Sequence, residues 1–370
     1  MSTERPFLDW PIYGLDQVTK RKALVQALSE LVSHHRQHCE PYARILQARG
    51  VAPDASFATP QDIPFLPVRL FKEFELQSIP PDQVFKVLTS SGTTSQRVSR
   101  IILDKDTALA QSKALIKILQ DFLGKDRHPM LIIDHPGVMK DRRSFSARAA
   151  GIMGFSNFGR DHTYALRDED MSLDVEAVSA FLAKHQGKRV LLFGFTYMVW
   201  QHFLQEVIQR GLSFDFSQGL LIHGGGWKKL AAQAVSNERF KAALREHLHL
   251  PAVHNYYGMV EQVGSIFMEC EHGRLHTPSF ADIIVRNSHD WSAQGVGHSG
   301  LIQVLSLLPT SYPGHSLLTE DTGMLLGEDD CPCGRLGKTF SVTGRIARAE
   351  LRGCSDTYAA DHSSPTGSAT

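Results

Sequence analysis

Between about Pro129 and Gly226 the chain alternates short, continuous apolar runs with longer stretches of helical spacing, and this alternation limits the fold more than any other feature. "PMLIID", "KRVLLFGF" and "GLLIHGGG" have the length of a strand, while "RRSFSARAAGIMGF" and "YMVWQHFLQEVIQR" place their apolar residues at helical intervals. Apolar runs without in-and-out alternation belong to strands covered on both faces, and such strands need helical crossovers. The pattern therefore predicts an α/β body with a largely parallel sheet. Before it, Leu24, Leu28, Leu31 and Val32 mark a helical region within residues 1–50, stopped by Gly50. After Tyr257 helical spacing gives way to "GSIFMEC", "ADIIVR" and "GLIQVLSLL", which predict a smaller β-rich lobe over about residues 258–345. Residues 1–345 read as one large domain, and 346–370 as a short tail whose small polar end, "DHSSPTGSAT", is expected to be disordered.

Composition excludes several classes of function. Lysine plus arginine equals aspartate plus glutamate at 39 each, so neither nucleic acid nor an anionic surface is called for. No apolar run approaches the roughly 20 residues of a membrane span. The start, "MSTERPFLDW", lacks the basic-then-apolar order of a secretory signal, and a cytoplasmic location is expected. The 5 cysteines, an odd number scattered over 370 residues, argue against a disulfide framework and for metal or thiol chemistry.

Four polar stretches carry candidate chemistry. "TSSGTTSQ" lies between "VFKVL" and "RVSRIIL", both strand-like, and its Ser90, Ser91, Gly92, Thr93, Thr94 and Ser95 supply hydroxyls and backbone N–H groups able to wrap a phosphate. It is not a Walker A loop, and taken alone it reads more readily as a surface Ser/Thr turn. In "HNYYGMVEQ", Tyr257 precedes Gly258, and Glu261 follows; an aromatic face beside a glycine suits a purine, and the carboxylate suits magnesium on phosphate oxygens. "LLTEDTGML" reads as a turn holding Asp321 before Gly323, an acceptor for ribose hydroxyls, and "SVTGRI" places Arg345 where it could bond the same sugar. Each fragment alone is as compatible with a structural role.

Their order is more specific. The Ser/Thr/Gly loop, the turn Gly224, Gly225 and Gly226, then "NYYGMVE", "TEDTG" and "TGR" resemble the core motifs of the adenylate-forming superfamily of acyl- and aryl-CoA ligases, adenylation domains and luciferases. The resemblance implies that fold's large domain, with ATP phosphates on Ser90 to Ser95, adenine on Tyr257, magnesium on Glu261, ribose on Asp321 and a domain hinge at Arg345. Members of that superfamily continue past the hinge into a small domain that supplies a lysine. Here 370 − 345 = 25 residues follow Arg345, and a missing small domain is expected. The lead-in "LPVRLFKEF", "HGGGWK" and "ELRGCSD" resemble, more narrowly, the acyl-protein synthetase family of bacterial bioluminescence fatty acid reductase, in which a cysteine near the C-terminus takes the acyl group as a thioester.

That resemblance gives Cys354 a role, with Arg348 and Arg352 close enough in sequence to favour its thiolate. An extended segment from Arg345 to Cys354 would reach on the order of 30 Å. The alternative is an inert thiol in a loose tail. A cation must replace the small-domain lysine, and Lys72, Lys228 or Lys229 could do so, though each also reads as a surface lysine. Cys270, His276, Cys331 and Cys333 are soft ligands on two short turns and suit a tetrahedral zinc site, with His272 a rival fourth ligand and free thiols the alternative. Phenylacetate-CoA ligase relatives carry similar cysteine pairs in this lobe, and some hold zinc there. His135, after "IID", could meet the acyl carboxylate or the α-phosphate, or be a hydrogen-bonded strand end. Phe193, Phe195, Tyr197 and Trp200 could line an acyl channel, although core packing is the commoner fate of such residues.

The sequence thus predicts an enzyme that uses ATP and magnesium to activate a carboxylic acid, fatty by resemblance, as acyl-AMP and passes the acyl group to Cys354 for delivery to a reductase subunit or an acyl carrier. Two other readings stay open: a ligase whose acceptor is coenzyme A or a carrier protein, and a non-catalytic nucleotide-binding scaffold.

Overall fold

The computed structural model describes residues 5–90, 98–139, 147–168, 170–227 and 234–346. The N-terminal helical pattern is two helices, Gln17–His38 and Glu40–Ala48. Asp16 opens the first by accepting the backbone N–H of Thr19 at 2.9 Å. Pro41, in the first turn of the second, cannot donate to a continuing helix and forces the break at Cys39. The first helix is anchored through charge as well as through Leu24 and Leu28. Buried Lys20 donates to the Thr277 hydroxyl at 2.8 Å and lies 3.9 Å from Asp282, which also pairs with Lys338 at 3.1 Å. These charges are tolerated without water because each faces an opposite one.

The strands, in chain order, are β1 (Leu66–Pro67), β2 (Lys86–Thr89), β3 (Arg100–Leu103), β4 (His128–Ile133), β5 (Gly159–Tyr164), β6 (Val190–Phe195), β7 (Gly219–Gly224), β8 (Ala252–Tyr257), β9 (Phe267–Glu269), β10 (Leu275–His276), β11 (Ala281–Arg286), β12 (Ser299–Ser306), β13 (Ser316–Glu328) and β14 (Lys338–Arg345). β5, β4, β6, β7 and β8 lie side by side and parallel. Every residue of β6 and β7 is buried, as their unbroken apolar runs require. Helices such as Val175–Lys184, between β5 and β6, and Asn237–Leu248, between β7 and β8, connect these strands. From β8 onward the ladder turns antiparallel through β9, β10, β14, β13, β12 and β11, so a single 12-stranded sheet runs through the parallel body and the β-rich end. Among the described residues no helix is long and apolar enough to cross a membrane.

Two features bear on the site. β2 and β3 form an antiparallel hairpin, Lys86 opposite Leu103 and Thr89 opposite Arg100, so the two runs flanking "TSSGTTSQ" are paired strands. Its central residues Ser91, Gly92, Thr93, Thr94 and Ser95 lie outside the described residues. The second feature is a correction: Asp321 is not in a turn but within the 13-residue β13. Gly323 marks a close backbone approach there, since a Cβ would come within 2.3 Å of the Ser341 carbonyl oxygen.

Candidate active site

The parallel strands end along one edge of the sheet, where α/β proteins bind ligands. β4 runs into Asp134 and His135, β6 into Thr196, β7 into Gly225 and Gly226, and β8 into Gly258. The glycine turn has steric causes. A Cβ on Gly224 would stand 2.4 Å from the Tyr256 ring, and one on Gly225, whose φ is +76°, 2.7 Å from the Phe195 ring. Gly225 and Gly226 are exposed, so their backbone faces outward.

β8 and the β13–β14 pair bring three predicted residues into direct contact. Asp321 stands opposite Arg345 in the ladder. Arg345 Nε donates to Asp321 Oδ1 at 2.8 Å, and the Tyr257 hydroxyl donates to Asp321 Oδ2 at 2.6 Å. Burial, and then the Asp321 charge, push the Tyr257 phenol well above its ordinary range, which keeps it a donor. A carboxylate offers about four lone-pair sites, so two remain for a sugar diol. The Tyr257 ring is backed by Phe267 and by Phe340, the latter edge-on with centroids 6.1 Å apart.

Glu261 lies beside this trio, in the short turn Val260–Gln262, with its backbone carbonyl bonded by the Tyr312 hydroxyl at 2.9 Å. Burial raises its pKa, opposed by the Ser99 hydroxyl and by the charges of Lys72 and Arg345. Lys72 arrives there because β1 runs parallel to β13, with Val68 N–H on the Leu318 carbonyl at 2.9 Å, and delivers the short helix Leu70–Glu73. At the hairpin, Ser90 Oγ accepts from Ser99 N–H at 2.9 Å and Ser90 N–H donates to the Ser99 carbonyl at 3.1 Å. This latches the base of the loop with the Ser90 hydroxyl oxygen as acceptor and leaves its O–H proton to donate. Lys228 and Lys229 lie outside the described residues, as do Arg348, Arg352 and Cys354.

His135 belongs to a charged cluster that sequence reasoning did not assemble. Its Nδ1 lies 3.0 Å from Asp168 Oδ1, its backbone N–H donates to Asp134 at 2.9 Å, and Arg148 stands 3.5 Å from the other Asp134 oxygen. The adjacent "IIDH" was the one local signal. Burial raises the Asp134 carboxyl, with Arg148 opposing it. Of the aromatics, Phe193 is fully buried and stacked on Phe155 at 4.4 Å, while Trp200 packs on Phe240 at 5.9 Å. These two are core contacts.

On the other side of β9, Cys270, His276, Cys331 and Cys333 place one ligand atom each within 4.8 Å of one another. Cys270 and Cys331 sulfurs are 3.7 Å apart, and Cys333 Sγ is 3.4 Å from His276 Nε2. Zinc–ligand bonds of about 2.3 Å to sulfur and 2.05 Å to nitrogen imply tetrahedral edges of about 3.8 and 3.6 Å, which these spacings fit. His272, the rival ligand, is exposed and stands outside the group.

A family model described as "Acyl-protein synthetase, LuxE" matches residues 10–362. A Vibrio harveyi protein, "Long-chain-fatty-acid--luciferin-component ligase", is 23% identical over 356 residues, 93% of this chain and 88% of the relative. An open conformation of 2-hydroxyisobutyryl-CoA ligase, solved with 2-HIB-AMP and CoA, superposes with a TM-score of 0.70 at 15% identity, covering 90% of this chain and 76% of that one. The same ligase in its thioesterification state gives 0.68 at 16% identity over 91% and 70%. At such identities the likeness is one of fold.

Proposed function

The chain belongs to the family Acyl-protein synthetase, LuxE, and on that premise we propose how its residues divide an ATP-dependent acid–thiol ligation. The reaction is the AMP-forming activation of a carboxylic acid followed by transfer to a thiol. A carboxylate is a poor electrophile, so the acid first attacks the α-phosphate, releasing pyrophosphate and forming a mixed anhydride. The thiolate then forms its C–S bond as the bond from acyl carbon to AMP breaks.

In this reading the loop Ser90, Ser91, Gly92, Thr93, Thr94 and Ser95 grips the phosphates, Gly224 to Gly226 with Tyr257 and Gly258 frame the adenine, and Asp321 takes the ribose with Arg345 beside it. Glu261 would hold magnesium, which supplies charge neutralisation at the phosphates. Lys72 is the better candidate to meet the α-phosphate charge, since it bears on Glu261; Lys228 is the other. His135 faces the acyl carboxylate. Cys354 is the acceptor thiol, and a reductase subunit or acyl carrier takes the group onward. The acid is fatty, as the name of the Vibrio harveyi relative suggests, and the protein works in the cytoplasm. Cys270, His276, Cys331 and Cys333 would hold a structural zinc ion.

The observation that carries this reading is the convergence of Tyr257, Asp321 and Arg345 with Glu261 and Lys72, drawn from four separate segments. ATP–pyrophosphate exchange with fatty, short and aryl acids, with and without coenzyme A, tests it. Exchange that depends on a fatty acid and needs no coenzyme A is expected. No exchange with any acid would favour the scaffold reading, and acyl turnover that requires coenzyme A would place the acceptor outside the chain.

A further inference from the structure

We propose that Thr196 and His223 are positioning residues for the nucleotide: together they fix the carbonyl of Gly224, and with it the turn Gly224–Gly226 that faces ATP. The inference rests on reading that turn as part of the nucleotide pocket. β6 and β7 end side by side, with Gly194 opposite His223 and Phe195 opposite Gly224, so Thr196, the next residue, sits over the start of the turn. Its hydroxyl lies 3.2 Å from the Gly224 carbonyl oxygen and 2.9 Å from His223 Nδ1.

The direction of this short chain follows from chemistry. A carbonyl oxygen only accepts, so the Thr196 proton goes to Gly224, and the same hydroxyl oxygen must accept from His223 Nδ1–H. The imidazole is thereby fixed as the Nδ1–H tautomer, and its bare Nε2 is a buried atom with no hydrogen-bond partner among the described residues. Burial pushes the His223 pKa down to about 3, so the ring stays neutral and the relay keeps its direction through the physiological range. Thr196 is 6% and His223 2% exposed, and leaving an imidazole nitrogen unpaired at such depth is unfavourable. Fixing the Thr196 rotamer, and so the turn, is what the polar pair achieves and an apolar pair of the same volume would not.

The turn is held on its other sides by sterics. Tyr256 lies against Gly224 and the Phe195 ring against Gly225, and the Gly224 carbonyl is held by the Thr196 side-chain hydrogen bond. Without the hydroxyl the turn could rotate its peptide groups, and a ligand would have to order them on binding.

The test compares the full chain with Thr196→Val, Thr196→Ser and His223→Leu, reading ATP affinity by equilibrium dialysis and separate KM values for ATP and acid. Thr196→Val is expected to weaken ATP binding about tenfold and Thr196→Ser less than about twofold, with the acid KM unmoved in both. His223→Leu leaves the hydroxyl but not its donor, and about a threefold loss is expected. Wild-type affinity for ATP in Thr196→Val, or in His223→Leu should the former not fold, overturns the proposal. So does an equal rise in both KM values, which a general loosening would produce. A wild-type chain that binds no ATP would overturn the reading of the turn as well, whereas ATP binding indifferent to these substitutions overturns this inference alone.

Discussion

Glu261 has been taken out of water with a hydroxyl and two cations to offset the loss, and its raised pKa has a direct consequence for activity. The group can hold a cation only when ionised. The kcat/KM for adenylation, which reports groups of the unloaded enzyme, should therefore fade, as pH falls, at a value above the ordinary 4.5 of a glutamate. Glu261→Gln should lower pyrophosphate exchange about a hundredfold and abolish that acid limb; a limb that persists in the variant would show that another group titrates. Asp321 makes a second prediction. Asn in its place loses the charge facing Arg345, so Asp321→Asn should raise the ATP KM about tenfold and leave the acid KM unchanged in steady-state kinetics. At this scale the sequence singled out Tyr257, Glu261, Asp321 and Arg345 as candidates because each stands in a short motif. It did not show that they touch. Asp134, Arg148 and Asp168 went unread because their contacts join a strand end, a helix and a distant loop, which leave no local pattern.

Among the elements, β10 is one of the two shortest strands of the sheet. Its 2 residues pair with β9 on one side and β14 on the other, and together with β9 they carry the ladder between the strand of Tyr257 and those of Asp321 and Arg345. His276 belongs to β10, so the proposed zinc would staple this seam. Metal analysis should find about one zinc per chain, and removing it with a chelator, or Cys331→Ser, should lower the melting temperature by several degrees. A chain that purifies without metal and melts unchanged with chelator would contradict this. The parallel strands were legible because both faces are covered and the apolar runs are unbroken. β13 was not: its second half alternates buried and half-buried positions, and Glu320, Asp321, Thr322 and Gly323 in a row imitate a turn. Likewise nothing in "YMVWQHFLQEVIQR" marks the wide turn of helix over Val199–Leu204.

For the molecule as a whole, folding buries histidines in neutral form. His223 and His315 are both pushed down to about 3 by burial. Because the unfolded chain binds their protons near pH 6.5, the stability they allow is present above that value and is lost as pH falls toward 3. Urea unfolding should give a lower free energy at pH 5 than at pH 7, and a flat dependence between the two would contradict it. Such burial could not be read from the sequence, since a histidine looks the same on a surface and in a core. The overall α/β plan and the superfamily order of motifs could be read, and the structure and the family match agree with them. We propose above that Cys354 makes this protein its own acyl acceptor. Intact mass after incubation with magnesium-ATP and mixed carboxylic acids, with Cys354→Ser alongside, tests it most directly. A hydroxylamine-sensitive acyl adduct is expected on the native chain and none on the variant. Pyrophosphate release with both chains unmodified would contradict it.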